Sequence, residues 1–167
     1  MIIGIGGVSR SGKSKLATEI CNYFRGLDKT AVILVQDDFV KPLRDIPKIK
    51  TETDWEHPAS LRHAVLRQTL AFYTLHFDVI ILDGFLAFYD PDLVEKYDLK
   101  FFVEIPKALF LKRKAEDKRW GEIPEWYFEH IWLSYERYGI PDDLDSNYHR
   151  LSGEQSYDVS ALLGPYQ

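Results

Sequence analysis

The sequence has almost no cysteine, no long hydrophobic run and no excess of basic residues, and each shortage excludes something. The one cysteine, Cys21, has no internal partner, so no internal disulfide is expected and a cytoplasmic, reducing location is. Cys21 also lies within a helical pattern, where a small buried apolar side chain is expected rather than a nucleophile. No apolar stretch approaches the ~20 residues that cross a bilayer, so no membrane partner is expected. Met1-Ile2-Ile3 gives way to glycine too soon for a signal peptide. Lys and Arg number 21 against 26 Asp and Glu, and the net charge of −5 disfavours general binding to nucleic acid. Repeats, low-complexity tracts and linker-like segments are also missing. For 167 residues, 46% of them hydrophobic, the expectation is one domain spanning 1–167 with a sizeable core, as a monomer or homodimer.

What is present alternates. Ile2 to Ile5, Ala31 to Val35, Val79 to Leu82 and Phe101 to Ile105 are short apolar runs that read as strands. Between them lie helical patterns: Lys13 to Phe24, Pro58 to about His76 with Leu61, Val65, Leu66, Leu70 and Tyr73 inward, and a basic stretch from Lys107 to Arg119. An aromatic-rich helix is expected over Pro124 to Tyr138, then a last strand near Tyr148 to Leu151 and a closing helix near Ser156 to Leu163. Apolar strands separated by helices predict a doubly wound α/β fold, a parallel sheet of about five strands covered on both faces. Ligands are then expected at the carboxyl ends of the strands.

The first strand runs into GVSRSGKS, which matches the phosphate-loop pattern G-x-x-x-x-G-K-[ST] at Gly7, Gly12, Lys13 and Ser14. Such a loop aims backbone N–H groups at phosphate oxygens, and the helix that follows offers its positive end. Gly7, Ser9, Ser11, Gly12, Lys13, Ser14 and Lys15 are the candidate cofactor-binding residues, for ATP as phosphate donor. Lys13 would reach the β- and γ-phosphates and the Ser14 hydroxyl would ligate Mg²⁺.

The next two strands each end in acid, in Gln36-Asp37-Asp38-Phe39 and Asp83-Gly84-Phe85. Phosphoryl transfer needs a group that orients the attacking hydroxyl and another that holds the metal through water. Asp37 is the expected base, Asp83 joins Ser14 at the metal, and Asp38 is expected to cap a loop. No guanine-reading Asn-Lys-x-Asp segment occurs, which disfavours a GTPase.

The ordered set GVSRSGKS, QDDFVKP, DWEHP, ILDGFLAF, an Ile-Pro before a basic helix, and WYFEHIWLSY resembles the uridine kinase and nicotinamide riboside kinase family. The likeness runs from Ile3 to about Tyr138, and it implies ATP- and Mg²⁺-dependent phosphorylation of a riboside 5′-hydroxyl. It further implies that Trp55 lies against the base and Glu56 accepts from ribose hydroxyls, with Asp54 as the alternative acid. The basic stretch resembles the family's lid, about 107–124, with Arg113 over the phosphates. Lys114 falls where the resemblance implies a contact to ribose, a part that Arg119 or Trp120 could take instead. Tyr127, Trp132 and Tyr135 are expected in packing rather than on a ligand. Two other readings stand beside this one: a kinase of a non-nucleoside metabolite, and a nucleotide-binding protein without catalysis.

Overall fold

The computed structural model describes residues 1–118, 121 and 123–166. Among the described residues one sheet contains β1 (Ile2–Gly7), β2 (Ala31–Val35), β5 (Val79–Asp83), β6 (Leu99–Glu104) and β7 (His149–Ser152); β3 (Lys48–Ile49) and β4 (Glu52–Thr53) pair apart from it. The sheet order is β2-β5-β1-β6-β7 and every neighbouring pair is parallel. The chain leaves β1 for the far edge at β2, returns through β5, then crosses to β6 on the other side of β1. That reversal opens a crevice at the carboxyl end of β1, where the phosphate loop begins.

The strands read as unbroken apolar runs because both faces are covered. Ile3, Ile5, Ile81, Phe101 and Val103 pack on one side with Leu16, Ile20 and Phe24 of α1 (Lys13–Gly26). Ile80, Leu82 and Phe102 face the other side, in one cluster with Leu66 and Leu70 of α2 (His63–Tyr73) and Leu93 of the short α3 (Pro91–Val94). Phe110 of α4 (Lys107–Ala115) and Ile131 of α5 (Glu125–Ser134) complete that layer. β1 carries Gly4 towards it, and the rings of Tyr97 and Phe88 fill the space: a Cβ on Gly4 would lie 2.7 Å from Tyr97. The chain closes with α6 (Leu144–Asn147) and α7 (Val159–Leu163).

Several boundaries differ from the sequence reading. The helix expected from Pro58 is interrupted: Pro58–Ser60 is a single 3₁₀ turn, and α2 begins at His63. The backbone between them pairs elsewhere, Lys41 N donating to Ser60 O at 2.8 Å and Arg62 N to Phe39 O at 2.8 Å. Leu61 therefore lies in an extended bridge with Val40, and Val65, expected inside, is 39% exposed. The basic helix ends at Ala115 rather than Arg119, which lies with Trp120 outside the described residues. The aromatic helix gives way at Tyr135–Gly139 to a π turn, closed by Ile140 N on Tyr135 O at 3.2 Å. The last helix starts at Val159, later than expected, because Asp158 caps it through the N–H groups of Ser160 and Ala161.

Candidate active site

The phosphate loop is built by backbone conformations that side chains resist. Gly7 has φ 138° and Gly12 φ 108°, both in the region that favours glycine. A Cβ on Gly7 would also strike the carbonyl oxygen of Val103 on β6. Ser11 N closes the loop on Val8 O at 3.1 Å, and Leu16 N starts the helix on Gly12 O at 3.1 Å. Lys13 is buried at the loop's centre with its Nζ donating to Val8 O at 2.9 Å. Burial lowers its pKa, while the charges of Asp83 and Asp37 oppose that shift.

Loop, strand ends and covering segments enclose one cleft of about 990 Å³. Ser9, Gly12, Lys13, Ser14 and Lys15 line its floor, with Asp37 and Asp83 beside them. Gly7 and Ser11 are buried behind that floor. Lys15 also pairs with Glu19 at 3.7 Å on the outer side of α1. Asp37 opens onto the cleft's solvent yet is walled by protein; burial raises its pKa, chiefly against the pull of Lys13. Asp38 is exposed and not among the lining residues. Asp83 is 4% exposed, and its Oδ1 has no hydrogen-bond partner among the described residues. A buried carboxylate oxygen with unused capacity, in a cleft shared with the Ser14 hydroxyl, fits a hard cation that keeps most of its waters. Among the described residues no group of His, Cys, Asp and Glu would hold a metal by protein ligands alone.

Another wall of the cleft is formed by the segment after β4 and by α5. Trp55 lines the cleft and is 43% exposed, so its ring is available to a ligand. Glu56 also lines it, with its Oε2 2.8 Å from the hydroxyl of Tyr127. Burial raises the pKa of Glu56, opposed first by the hydrogen bond from Tyr127. Asp54 is buried and committed to His130, whose Nε2 donates to its Oδ1 at 2.7 Å. Of the two acids expected for ribose, Glu56 is therefore the one in the cleft.

Tyr127 and His130 were beyond the reach of sequence reasoning in these roles. Tyr127 was expected in packing, and its ring is buried, but its hydroxyl joins Trp55 N, Thr53 O and Glu56. Trp132 and Tyr135 do pack, Tyr135 stacked on Phe102 with ring centroids 6.1 Å apart. Gln36 was also missed. It is 1% exposed, its Oε1 accepts from Leu86 N at 2.8 Å, and it fills the space where Gly84 lacks a side chain.

From α4, Arg113 and Lys114 line the cleft. Arg113 donates through Nη1 to Arg10 O at 3.0 Å and through Nη2 to Gly153 O at 3.1 Å. Lys114 is buried, and its charge bears on both Asp37 and Glu56, favouring their ionised forms. The third lid candidate, Arg119, lies outside the described residues.

The central strand, its glycine loop and the acids on the neighbouring strand ends define the class: a P-loop nucleotide-binding protein of the kinase type. No family model matches the chain. Uridine kinase of Bacillus thuringiensis (strain Al Hakam) is 32% identical to it over 141 residues, covering 70% of this chain and 66% of that protein. The match thus spans slightly under two thirds of that relative's length. A possible uridine kinase from Bacillus stearothermophilus has a similar structure, with TM-score 0.58, 16% identity, and 90% and 88% of the two chains covered. Deoxyadenosine kinase from M. mycoides, solved with bound dATP, has TM-score 0.59 and 17% identity over 99% and 97%. These structural likenesses establish the fold. With the sequence relationship, the chain belongs to the uridine kinase family of P-loop kinases.

Proposed function

We propose that the chain is an ATP- and Mg²⁺-dependent kinase that transfers the γ-phosphoryl group to the 5′-hydroxyl of a riboside. The observation that carries this reading is one cleft shared by the phosphate loop, the acids Asp37 and Asp83, and the pair Trp55 and Glu56. Nicotinamide riboside, uridine and cytidine are the acceptors to compare. The relatives named uridine kinase support the class of acceptor.

In this reading the loop amides and Lys13 hold the β- and γ-phosphates, and Ser14 and Asp83 would hold Mg²⁺. The ion would neutralise charge on the phosphates. Asp37 accepts a hydrogen bond from the acceptor hydroxyl, turns its lone pair towards the γ-phosphorus and takes the proton as the new O–P bond forms and the bond from the γ-phosphorus to the bridging oxygen breaks, releasing ADP. Trp55 offers its exposed face to the planar base. Glu56 accepts from the ribose hydroxyls. Arg113 ties the lid helix to the loop backbone, so lid position and loop shape are linked.

The test is a panel of ribosides and sugars incubated with ATP and Mg²⁺, with ADP release measured and products identified by mass. Phosphorylated riboside is the expected product. A panel in which no riboside is turned over, or in which a sugar alone reacts, would overturn the reading.

A further inference from the structure

Trp55 and Glu56 are neighbours in the chain, so one peptide joins them, and the carbonyl of that peptide belongs to Trp55. Ser60 Oγ lies 3.0 Å from that oxygen. A carbonyl can only accept, so the serine hydroxyl donates its one proton there. Ser60 is fully buried, and its backbone groups are committed as well. Its N–H donates to His57 O, and its carbonyl oxygen accepts from Lys41 N, each at 2.8 Å. Arg62 N on Phe39 O, at 2.8 Å, and the bridge between Val40 and Leu61 extend the second contact. Phe39, Val40 and Lys41 directly follow Asp37 and Asp38. Ser60 thus stands between two segments: its backbone is fastened to the one that leaves Asp37, and its side chain to the peptide of Trp55 and Glu56.

We infer that Ser60 is a positioning residue, whose hydroxyl holds the Trp55–Glu56 peptide against the segment that leaves Asp37 and so fixes the aim of both side chains. The Trp55 ring is 43% exposed and has correspondingly little packing to hold it, so its direction depends on its backbone. On the amide side, Trp55 N faces the Tyr127 hydroxyl and Thr53 O, each at 3.2 Å. The Tyr127 contact ties the residue to α5; the Ser60 contact ties it to the segment that carries Asp37. The turn around Ser60 is closed by other groups too. His57 Nδ1 accepts from Ala59 N at 3.0 Å, and His63 Nε2 donates to Pro58 O at 2.8 Å. Ser60→Ala keeps these bonds and every backbone bond of Ser60, so it removes the hold without removing the turn. That the two side chains meet a riboside rests on the acceptor site proposed above; the hold on the peptide does not.

The test is Ser60→Ala in two measurements. The first needs no ligand: ¹⁹F NMR of protein carrying 5-fluorotryptophan, with the Trp55 signal identified by its loss in Trp55→Phe. In Ser60→Ala that signal is expected to broaden or split, while the other tryptophan signals keep their position and width. The second is steady-state kinetics with a riboside that the panel shows to be turned over. KM for the riboside is expected to rise roughly 2- to 10-fold, the range of one neutral hydrogen bond, with KM for ATP unchanged. A Trp55 signal that Ser60→Ala leaves unchanged would overturn the inference. So would an unchanged riboside KM, or a rise shared equally by ATP, which marks a general loosening of the fold. If Ser60→Ala does not fold, Ser60→Cys nearly keeps the volume, replaces the hydroxyl with a weak donor, and is read by the same outcomes. Should no riboside be turned over, the acceptor reading fails in its own test, and the fluorine measurement still decides whether Ser60 holds the peptide.

Discussion

One guanidinium joins α4 to the phosphate loop: Arg113 Nη1 donates to the carbonyl oxygen of Arg10 at 3.0 Å. Its other arm donates to Gly153 O at 3.1 Å, on the turn that follows β7. A planar fork spans the two carbonyls with two separate nitrogens, a fixed geometry that a single ammonium nitrogen does not reproduce. Hydrogen bonds from a charged donor contribute about 1.5–3 kcal/mol each. Arg113→Lys and Arg113→Ala are therefore both expected to weaken ATP binding, by about 10-fold or more on the same scale. Calorimetric titration with ATP checks this, and equal affinity in Arg113→Lys would show that the fork is not needed.

In the mechanism proposed above Asp37 is the base, and its environment gives the sign of two pH effects. Burial raises its pKa above 3.8, against Lys13. As the base it must be ionised, so kcat/KM for the riboside is expected to fall on the acid side at a higher pH than an ordinary aspartate would give. Its effect on stability has the opposite direction. A carboxyl with a raised folded pKa favours the fold at low pH and loses that contribution as pH rises through its folded value. Asp37→Asn should then raise the Tm at neutral pH, with the gain disappearing below about 3.8. The same variant should lose about 10²–10⁴-fold in kcat while still binding ATP.

Trp55 is exposed enough that its removal should leave folding nearly unchanged. If its ring stacks on the acceptor base, Trp55→Ala raises KM by about 1–3 kcal/mol, or roughly 5- to 150-fold, with a small effect on kcat. Steady-state kinetics over a range of riboside concentration separates the two. An unchanged KM removes Trp55 from the acceptor site.

Asp54 is expected to matter for stability rather than for the acceptor. His130→Ala leaves a buried carboxylate without its partner at 2.7 Å, which is expected to cost about 1–3 kcal/mol. Pairing it with Asp54→Ala should recover part of that loss, as read by denaturant unfolding. A double variant no more stable than His130→Ala would show that the two side chains do not act as a pair.

How much of this was legible in the sequence follows from distance along the chain. The phosphate loop could be read because its requirements are local: two glycines with positive φ, a lysine and a serine at fixed spacing. Asp37 and Asp83 could be read because each stands at the end of an apolar run, and parallel strands bring such ends together. The two covered faces followed the same logic, whereas the order of the strands comes from the structure alone. The acceptor wall could not be read this way. Tyr127 meets Glu56 across 71 residues, and His130 meets Asp54 across 76. No local pattern encodes either contact, and WYFEHIWLSY reads as packing by its aromatic content alone. Leu61 is buried as expected but stands outside the helix, and Val65 is exposed, for a related reason. A backbone bridge to Val40 interrupts the helix there, and helical spacing cannot show a partner in another segment.

The most direct measurement is ³¹P NMR of ATP, Mg²⁺ and uridine or nicotinamide riboside with the unmodified protein and with Asp37→Asn. The γ-phosphorus of ATP is expected to reappear as a 5′-monophosphate with the unmodified protein, and the transfer should be lost in Asp37→Asn while ATP stays bound. Transfer that survives without the Asp37 carboxylate, or ATP consumed with inorganic phosphate as the only product, would contradict the assignment of donor and acceptor to this cleft.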